Sequence, residues 1–240
     1  MNSDDLTPDV RLSDEATSAS TTRLLAAAVA RAVEGRALLA HPFYRRWESG
    51  DLSSSELSEY AVHYRAFEVA LPAVLGAVAA ELRRDGRTEA AVMVERNLSD
   101  ELGYPEAHLV LFDRFAAALP PPASAGGPGP AAQALVGTYD SLVALGPVAA
   151  LAGLAAYETQ AAAIAASKAD GLRRWYRMDA AGTGFWDVHA RMDADHGEWA
   201  VEALDLLGAD PLVVEAGARR AAEAWWALLD ERQASAPVAA

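Results

Sequence analysis

The chain has 240 residues, a formal net charge of −14 and no cysteine, which excludes disulfides, thiolate chemistry, zinc–thiolate sites and iron–sulfur clusters. A pI of about 4.7 argues against a nucleic-acid-binding protein, because phosphates need a basic stripe and none is visible. Ala, Leu and Val dominate, so the expected class is all-α, in a chain long enough for one domain with a substantial core.

Residues 1–20 are polar and acidic and read as a disordered leader without a secretory apolar segment. A cytoplasmic protein is therefore expected. The spacing of apolar residues predicts a first helix from Thr22 to Ala40, ended by His41-Pro42-Phe43-Tyr44. Ser53-Ser54-Ser55-Glu56 is a capping-box pattern opening a second helix to about Arg84, with a kink at Pro72. Further helices are expected over Thr88–Leu102, Pro105–Leu119, Ala131–Leu145, Pro147–Lys168, Gly182–Leu207 and Asp210–Glu231, with a Pro/Gly-rich loop over 120–130. Residues 21–232 read as one helical bundle and 233–240 as a flexible tail. The longest apolar stretch, Ala149–Ala156, is too short to span a bilayer. Neither a membrane nor a nucleic acid is expected as a partner.

The chemistry is concentrated in two short blocks and one isolated acid. His189, Asp193 and His196 are spaced four and three apart, so on a helix they form one stripe able to chelate a metal. The competing reading is a solvated polar face, but Phe185, Trp186, Val188 and Met192 border the stripe. Asp195 lies off it. Glu101 and His108 are seven apart, with Gly103-Tyr104-Pro105 between them, and taken alone they read equally well as capping or surface residues. Glu158 is the lone acid in a long apolar run, and a buried unpaired carboxylate is costly unless protonated or ligated. An exposed Glu on an Ala-rich helix is the alternative. Three of the five histidines fall in these positions. Three carboxylates and three imidazoles together suit two first-row metals with an open position for dioxygen.

Five landmarks then carry a family resemblance: Leu38 through Trp47, Asn97 through Gly103, Tyr157-Glu158-Thr159-Gln160, Ser167 through Leu172, and Gly184 through His189. Together they resemble the CADD family, named for a chlamydial protein associating with death domains, within the haem-oxygenase-like diiron oxidases. The resemblance covers roughly residues 22–207. It implies a haem-oxygenase-like bundle of seven to eight helices and a metal site on Glu101, His108, Glu158, His189, Asp193 and His196. The cofactor it implies is two iron ions or a mixed iron/manganese pair, with O2 and an external reductant as co-substrates. It further implies p-aminobenzoate synthesis for folate, in which the protein consumes its own tyrosine as ring source and a lysine as amino donor. By position these are Tyr44, with Tyr60 as a second redox tyrosine, and Lys168. The chain departs from the family at Ala161-Ala162, where a proline is usual, at Tyr176-Arg177 for a Tyr-Gly, and at Phe185-Trp186 for a Phe-Phe or Tyr-Phe pair.

Two alternatives compete with self-derived synthesis. One is a diiron oxidase acting on a separate amino-acid-derived small molecule. The other is a non-catalytic interaction module that kept the bundle. The tyrosines also read as core aromatics, and Lys168 as a cation at a helix C-terminus. The apolar Trp225-Trp226 pair and the family point to a homodimer. Thiaminase-type relatives need a cysteine, and His41, placed before Pro42, is a poor haem ligand.

Overall fold

The computed structural model describes residues 8–103, 106–123 and 126–235. It contains helices α1 (Pro8–Val33), α2 (Pro42–Ser49), α3 (Ser54–Arg84), α4 (Thr88–Leu102), α5 (His108–Ala117), α6 (Pro130–Leu145), α7 (Pro147–Tyr176), α8 (Ala180–Leu206) and α9 (Pro211–Ala234), with a 3₁₀ turn at Leu38–Ala40. No strand occurs among the described residues, as the Ala- and Leu-rich composition leads one to expect.

Local chemistry explains the boundaries. Ser53 caps α3 by accepting from the Glu56 amide, and the Glu56 carboxylate in turn accepts from the Ser53 N–H, the reciprocal arrangement expected of this pattern. Proline occupies the first turn of α2, α6, α7 and α9, where a missing N–H costs nothing. Asp179 and Asp210 cap α8 and α9. Helix α3 continues through Pro72; the Glu68 carbonyl thereby loses its helical donor.

Several boundaries differ from the expected ones. Helix α1 begins at Pro8, a favourable first helical residue, so the leader is helical from there; residues 1–7 lie outside the described residues. The same helix stops at Val33 rather than Ala40, where Gly35 adopts a φ of 75°. The segment His41–Trp47, expected as a break, is helix α2: His41 caps it by accepting from the Phe43 amide, and Gly50 closes it at a φ of 82°. This short helix is what turns Phe43, Tyr44 and Trp47 into the core.

Helix α7 is the axis of the bundle, packing mainly against α8 and α9. It is long and apolar enough by composition to cross a membrane, contrary to the short stretch expected. Its most apolar window is, however, 72% buried inside the fold, as a core helix must be. Small residues allow the close approach. A Cβ on Gly217 would stand 2.9 Å from the Ala149 carbonyl oxygen and 3.1 Å from the Ala152 Cβ. Replacing Gly217 with Val should therefore force α9 off α7 and lower the stability by roughly 1–3 kcal/mol. Denaturant unfolding tests this, and an unchanged midpoint would mean that the two helices are not in close contact there.

Trp225 is core and stacks on Tyr157, while Trp226 is half-buried with its ring against His41. The pair therefore does not form the exposed apolar face on which the homodimer expectation was partly based.

Candidate metal centre

Four helices deliver the six ligand-type residues. Glu101 lies in the last turn of α4, His108 opens α5, Glu158 sits mid-way along α7, and His189, Asp193 and His196 line one face of α8. All six are at least nine-tenths buried. They separate into two triads, Glu101–His108–His189 and Glu158–Asp193–His196, and within each the donor atoms lie within 4.8 Å of one another. The α8 stripe is thus divided: His189 faces one triad, Asp193 and His196 the other. Tyr104 and Pro105, which separate Glu101 from His108 in sequence, lie outside the described residues. Asp195 is exposed.

Outer contacts fix which imidazole nitrogens face inward. His189 donates from Nδ1 to the Phe185 carbonyl at 2.8 Å, leaving Nε2 for the triad. Nε2 of His196 lies 3.1 Å from Asp100 Oδ2, leaving Nδ1 for Asp193 Oδ1 at 3.5 Å and Glu158 Oε2 at 3.8 Å. Carboxylate or carbonyl support on the far nitrogen is the usual way a metal-binding imidazole is held. Asn97 donates to Glu158 Oε1 at 3.3 Å.

The donor set fits a pair of cations. His108 Nδ1, His196 Nδ1 and Asp193 Oδ1 are buried without any hydrogen-bond partner, and orphaned buried polar atoms are rare unless something binds them. His108 Nδ1 is 3.0 Å from Glu101 Oε2, but that contact is too poorly directed to count as a hydrogen bond. Burial pushes the Asp193 and Glu158 carboxyls above their ordinary range, with neighbouring carboxylates adding to the effect. Burial also acts to raise Glu101, but the imidazoles of His108, His189 and His196 outweigh it and hold this carboxyl low. Desolvation, with His108 beside it, lowers the His189 imidazole to about 3, so it is neutral and ready to ligate.

A second buried cluster lies within the same core. Lys168 is 2% exposed, and its Nζ donates to Tyr60 Oη at 2.6 Å and Tyr44 Oη at 2.8 Å, while the two hydroxyls are 2.8 Å apart. The helix-terminal reading of Lys168 fails because α7 continues to Tyr176, which places Lys168 mid-helix and inward. The rings of Trp186, Tyr44, Tyr60 and Tyr64 surround the amine at 4.2–4.9 Å. Burial drives the Lys168 amine well below its ordinary value of 10.5, opposed by the charge of Glu68.

That depression makes a stability prediction. The folded state binds fewer protons at this site than the unfolded chain, so stability rises with pH. It falls as the pH drops from 10.5 towards the depressed folded value. Lys168→Met should remove this dependence and stabilise the metal-free protein at neutral pH by about 1–2 kcal/mol. Thermal melts of both proteins across that pH range check it, and parallel curves would sink it.

A model of the family described as iron-containing redox enzymes matches residues 58–229. The chain belongs to this family. It is 34% identical over 212 residues to a 4-aminobenzoate synthase of Nitrosomonas europaea, covering 82% of this chain and 86% of that one. It is 29% identical over 203 residues to a 4-aminobenzoate synthase of Chlamydia pneumoniae, covering 82% and 89%. A solved CADD-like protein of unknown function from Nostoc punctiforme shares the fold, with a TM-score of 0.73 at 16% identity over 92% of this chain and 98% of that one. The bundle is accordingly haem-oxygenase-like, the resemblance to CADD-like proteins holds, and the protein is an oxidoreductase of an iron-containing family. His41 has no free nitrogen for haem: Nδ1 accepts from the Phe43 amide and Nε2 bonds Asp230 at 3.0 Å.

Reasoning from sequence missed Glu68, Tyr64 and Tyr157. Glu68 is 3% exposed on α3, one turn on from Tyr64, and the Tyr64 and Tyr157 hydroxyls are 2.6 Å apart. A signal was available. Glu68 is an acid among Phe67, Val69, Ala70 and Leu71, the same argument that singled out Glu158.

Proposed function

We propose that the protein is a dinuclear-metal oxidase that makes 4-aminobenzoate from its own Tyr44, with nitrogen from Lys168 and with dioxygen and an external reductant as co-substrates. The observation that carries this is the sealed contact of Lys168 Nζ with Tyr44 Oη, in the same core as a six-residue cluster of metal-ligand type. The names of the relatives supply the product class. A tyrosine side chain is a benzene ring with one carbon at one end and an oxygen opposite it. 4-Aminobenzoate keeps that carbon as carboxylate and carries nitrogen where the oxygen was. The conversion therefore needs an amine at the phenol end, and Lys168 Nζ is 4.3 Å from the Tyr44 ring centroid.

Glu101, His108 and His189 would hold one metal ion, and Glu158, Asp193 and His196 the other. When bound, the pair supplies dioxygen activation. The remaining work belongs to the chain. Burial keeps the Lys168 amine neutral and nucleophilic. Tyr60 orients it through a 2.6 Å bond. The aromatic shell of Trp47, Phe115 and Trp186 excludes water from the reacting pair. The product is the ring unit used in folate synthesis.

One feature favours a second reading, oxidation of a separate small molecule. A groove of about 790 Å³ between α1, α7 and α8 is lined by Glu158 together with Ala26, Ala162, Ala163, Gly197 and Val201, so an external molecule has a route towards one ligand. Ring-labelled tyrosine decides between them. Protein expressed with the label, freed of unbound tyrosine, loaded with iron or iron/manganese and given reductant and oxygen should release labelled 4-aminobenzoate, at no more than one per chain. Unlabelled product, or repeated turnover of an added compound, would favour the second reading. Enzymatic relatives leave the interaction-module reading without support.

A further inference from the structure

A product made at Tyr44 forms in a sealed core and must leave it as an anion. A desolvated carboxylate is costly without a cation or donors beside it, and the metal-ligand cluster brings carboxylates of its own. Another part of the molecule offers better chemistry. A cavity of about 610 Å³ lies between the start of α2, the first turns of α3 and the end of α9, and Phe43, Glu56, Glu59, His63 and Arg232 line it. Its size is ordinary for a small-molecule site. Phe43 also belongs to the reacting cluster: its ring is buried, stacks on Tyr60 with centroids 5.6 Å apart, and lies 6.2 Å from the ring of Tyr44. One side chain thus touches both the cavity and the tyrosine pair. Arg232 and His63 are each more than nine-tenths buried. Arg232 Nη2 donates to Glu231 Oε1 at 2.9 Å, but Nε is buried without a hydrogen-bond partner, which is rare unless a further group binds nearby. His63 Nδ1 accepts from the Gly129 amide at 2.7 Å, so the neutral ring carries its proton on Nε2 as a donor. Burial, with Arg232 beside it, holds this imidazole below its ordinary value and so keeps it neutral. Two neighbouring carboxylates are already engaged. Glu56 pairs with Arg46 at 2.8 Å and closes the capping box of α3, and Glu231 also accepts from the Ala131 amide at 2.9 Å.

We propose that this cavity is a binding site for a small aromatic carboxylate, with Arg232 and His63 taking the carboxylate, Phe43 flanking the ring and Glu59 accepting from an amine. That the ligand is 4-aminobenzoate rests on the self-derived reaction proposed above. The two ends of that molecule suit the lining: an anion for the Arg232 guanidinium and an N–H donor for a carboxylate. Product freed at Tyr44 reaches the cavity by passing Phe43 and is held there before it leaves. No bond is made or broken in this step, which exchanges an aromatic core for a site with a cation.

The test titrates the full-length, metal-loaded protein with 4-aminobenzoate, without oxygen so that Tyr44 is not consumed. Equilibrium dialysis should show saturable binding of about one molecule per chain. 4-Aminobenzamide, which has the same shape without the charge, should bind at least about tenfold more weakly. Arg232→Met should weaken 4-aminobenzoate to a similar extent, and Arg232→Lys, which keeps a cation beside Glu231, should recover part of the loss. A photoreactive stand-in, 4-azidobenzoate, should crosslink to the peptides holding Phe43, His63 or Arg232, and excess 4-aminobenzoate should suppress the crosslink. Absence of saturable binding overturns the site, and so does equal binding of the amide. Crosslinks confined to the groove beside Glu158 overturn it as well. Should Arg232→Met fail to fold, the amide and the crosslinks decide without it. If ring-labelled protein releases no labelled product while 4-aminobenzoate binds and crosslinks in this cavity, the self-derived reaction fails and the site stands.

Discussion

Phenylalanine at position 44 should abolish 4-aminobenzoate while leaving two metals bound and the fold intact. The substitution removes one oxygen from a residue that is 2% exposed. Lys168 keeps its other partner, Tyr60, and Tyr60 loses one of two hydrogen bonds. The structural cost is that of one buried neutral hydrogen bond, about 1 kcal/mol. The chemical loss is complete, because the ring at position 44 has no oxygen through which to lose an electron and a proton together. Lys168→Arg should likewise give no product, since a guanidinium stays charged and is a poor nucleophile. Its burial among aromatic rings is costly, so Lys168→Met serves as the folded control and should be equally inactive. Mass spectrometry of the product and metal analysis of the same samples check this. Product from either position-168 variant at the wild-type level would mean that the nitrogen comes from elsewhere.

Removing a single imidazole should halve the metal content. His189→Ala strips the Glu101–His108–His189 triad of one of its two nitrogens, and His196→Ala strips the other triad of its only one. Each variant should fall from two metal equivalents per chain to one and lose oxygen uptake, because two metals are needed together. Asp195→Ala, one residue from His196 but exposed, should keep both metals and full uptake. Equal loss in all three variants would mean that the buried face of α8 has been misassigned. Loss of both metals from each imidazole variant would mean that the two triads load as one unit.

Much of this was legible in the chain itself, for reasons specific to each element. The α8 stripe could be read because a helix fixes the relation between residues three and four apart. Glu158 could be read because an acid inside Leu151–Ala161 has no cheap solvated place. Spacing alone could not settle Glu101 and His108, since they belong to different helices and their approach depends on the turn between them. Nor could it divide the six residues between the triads, because that division follows from how α4, α5 and α7 meet α8. Helix α2 was missed because Pro42 was read as a breaker, whereas a proline in the first turn starts a helix. The fate of Lys168 was missed for a related reason. Helix α7 runs on past Lys168 to Tyr176 straight through Gly171, which sits against Trp47 where a Cβ would clash, and a residue taken for a helix end became a buried one.

The complete burial of Tyr44 bears on the lifetime of the molecule. If its ring and Cβ leave as product, every turnover is also a large-to-small substitution in the core. The remnant at position 44 would abandon its packing against Phe43, Trp47 and Tyr60. Deleting a buried aromatic side chain of this size typically costs about 3–5 kcal/mol, a large share of the whole margin of a domain of this kind. A spent chain would thus differ from a fresh one in foldedness as well as in chemistry. Ordinary quality control, which clears proteins in proportion to how often they open, could then tell used molecules from unused ones without a dedicated signal. The protein would behave as a consumable reagent that marks itself for disposal.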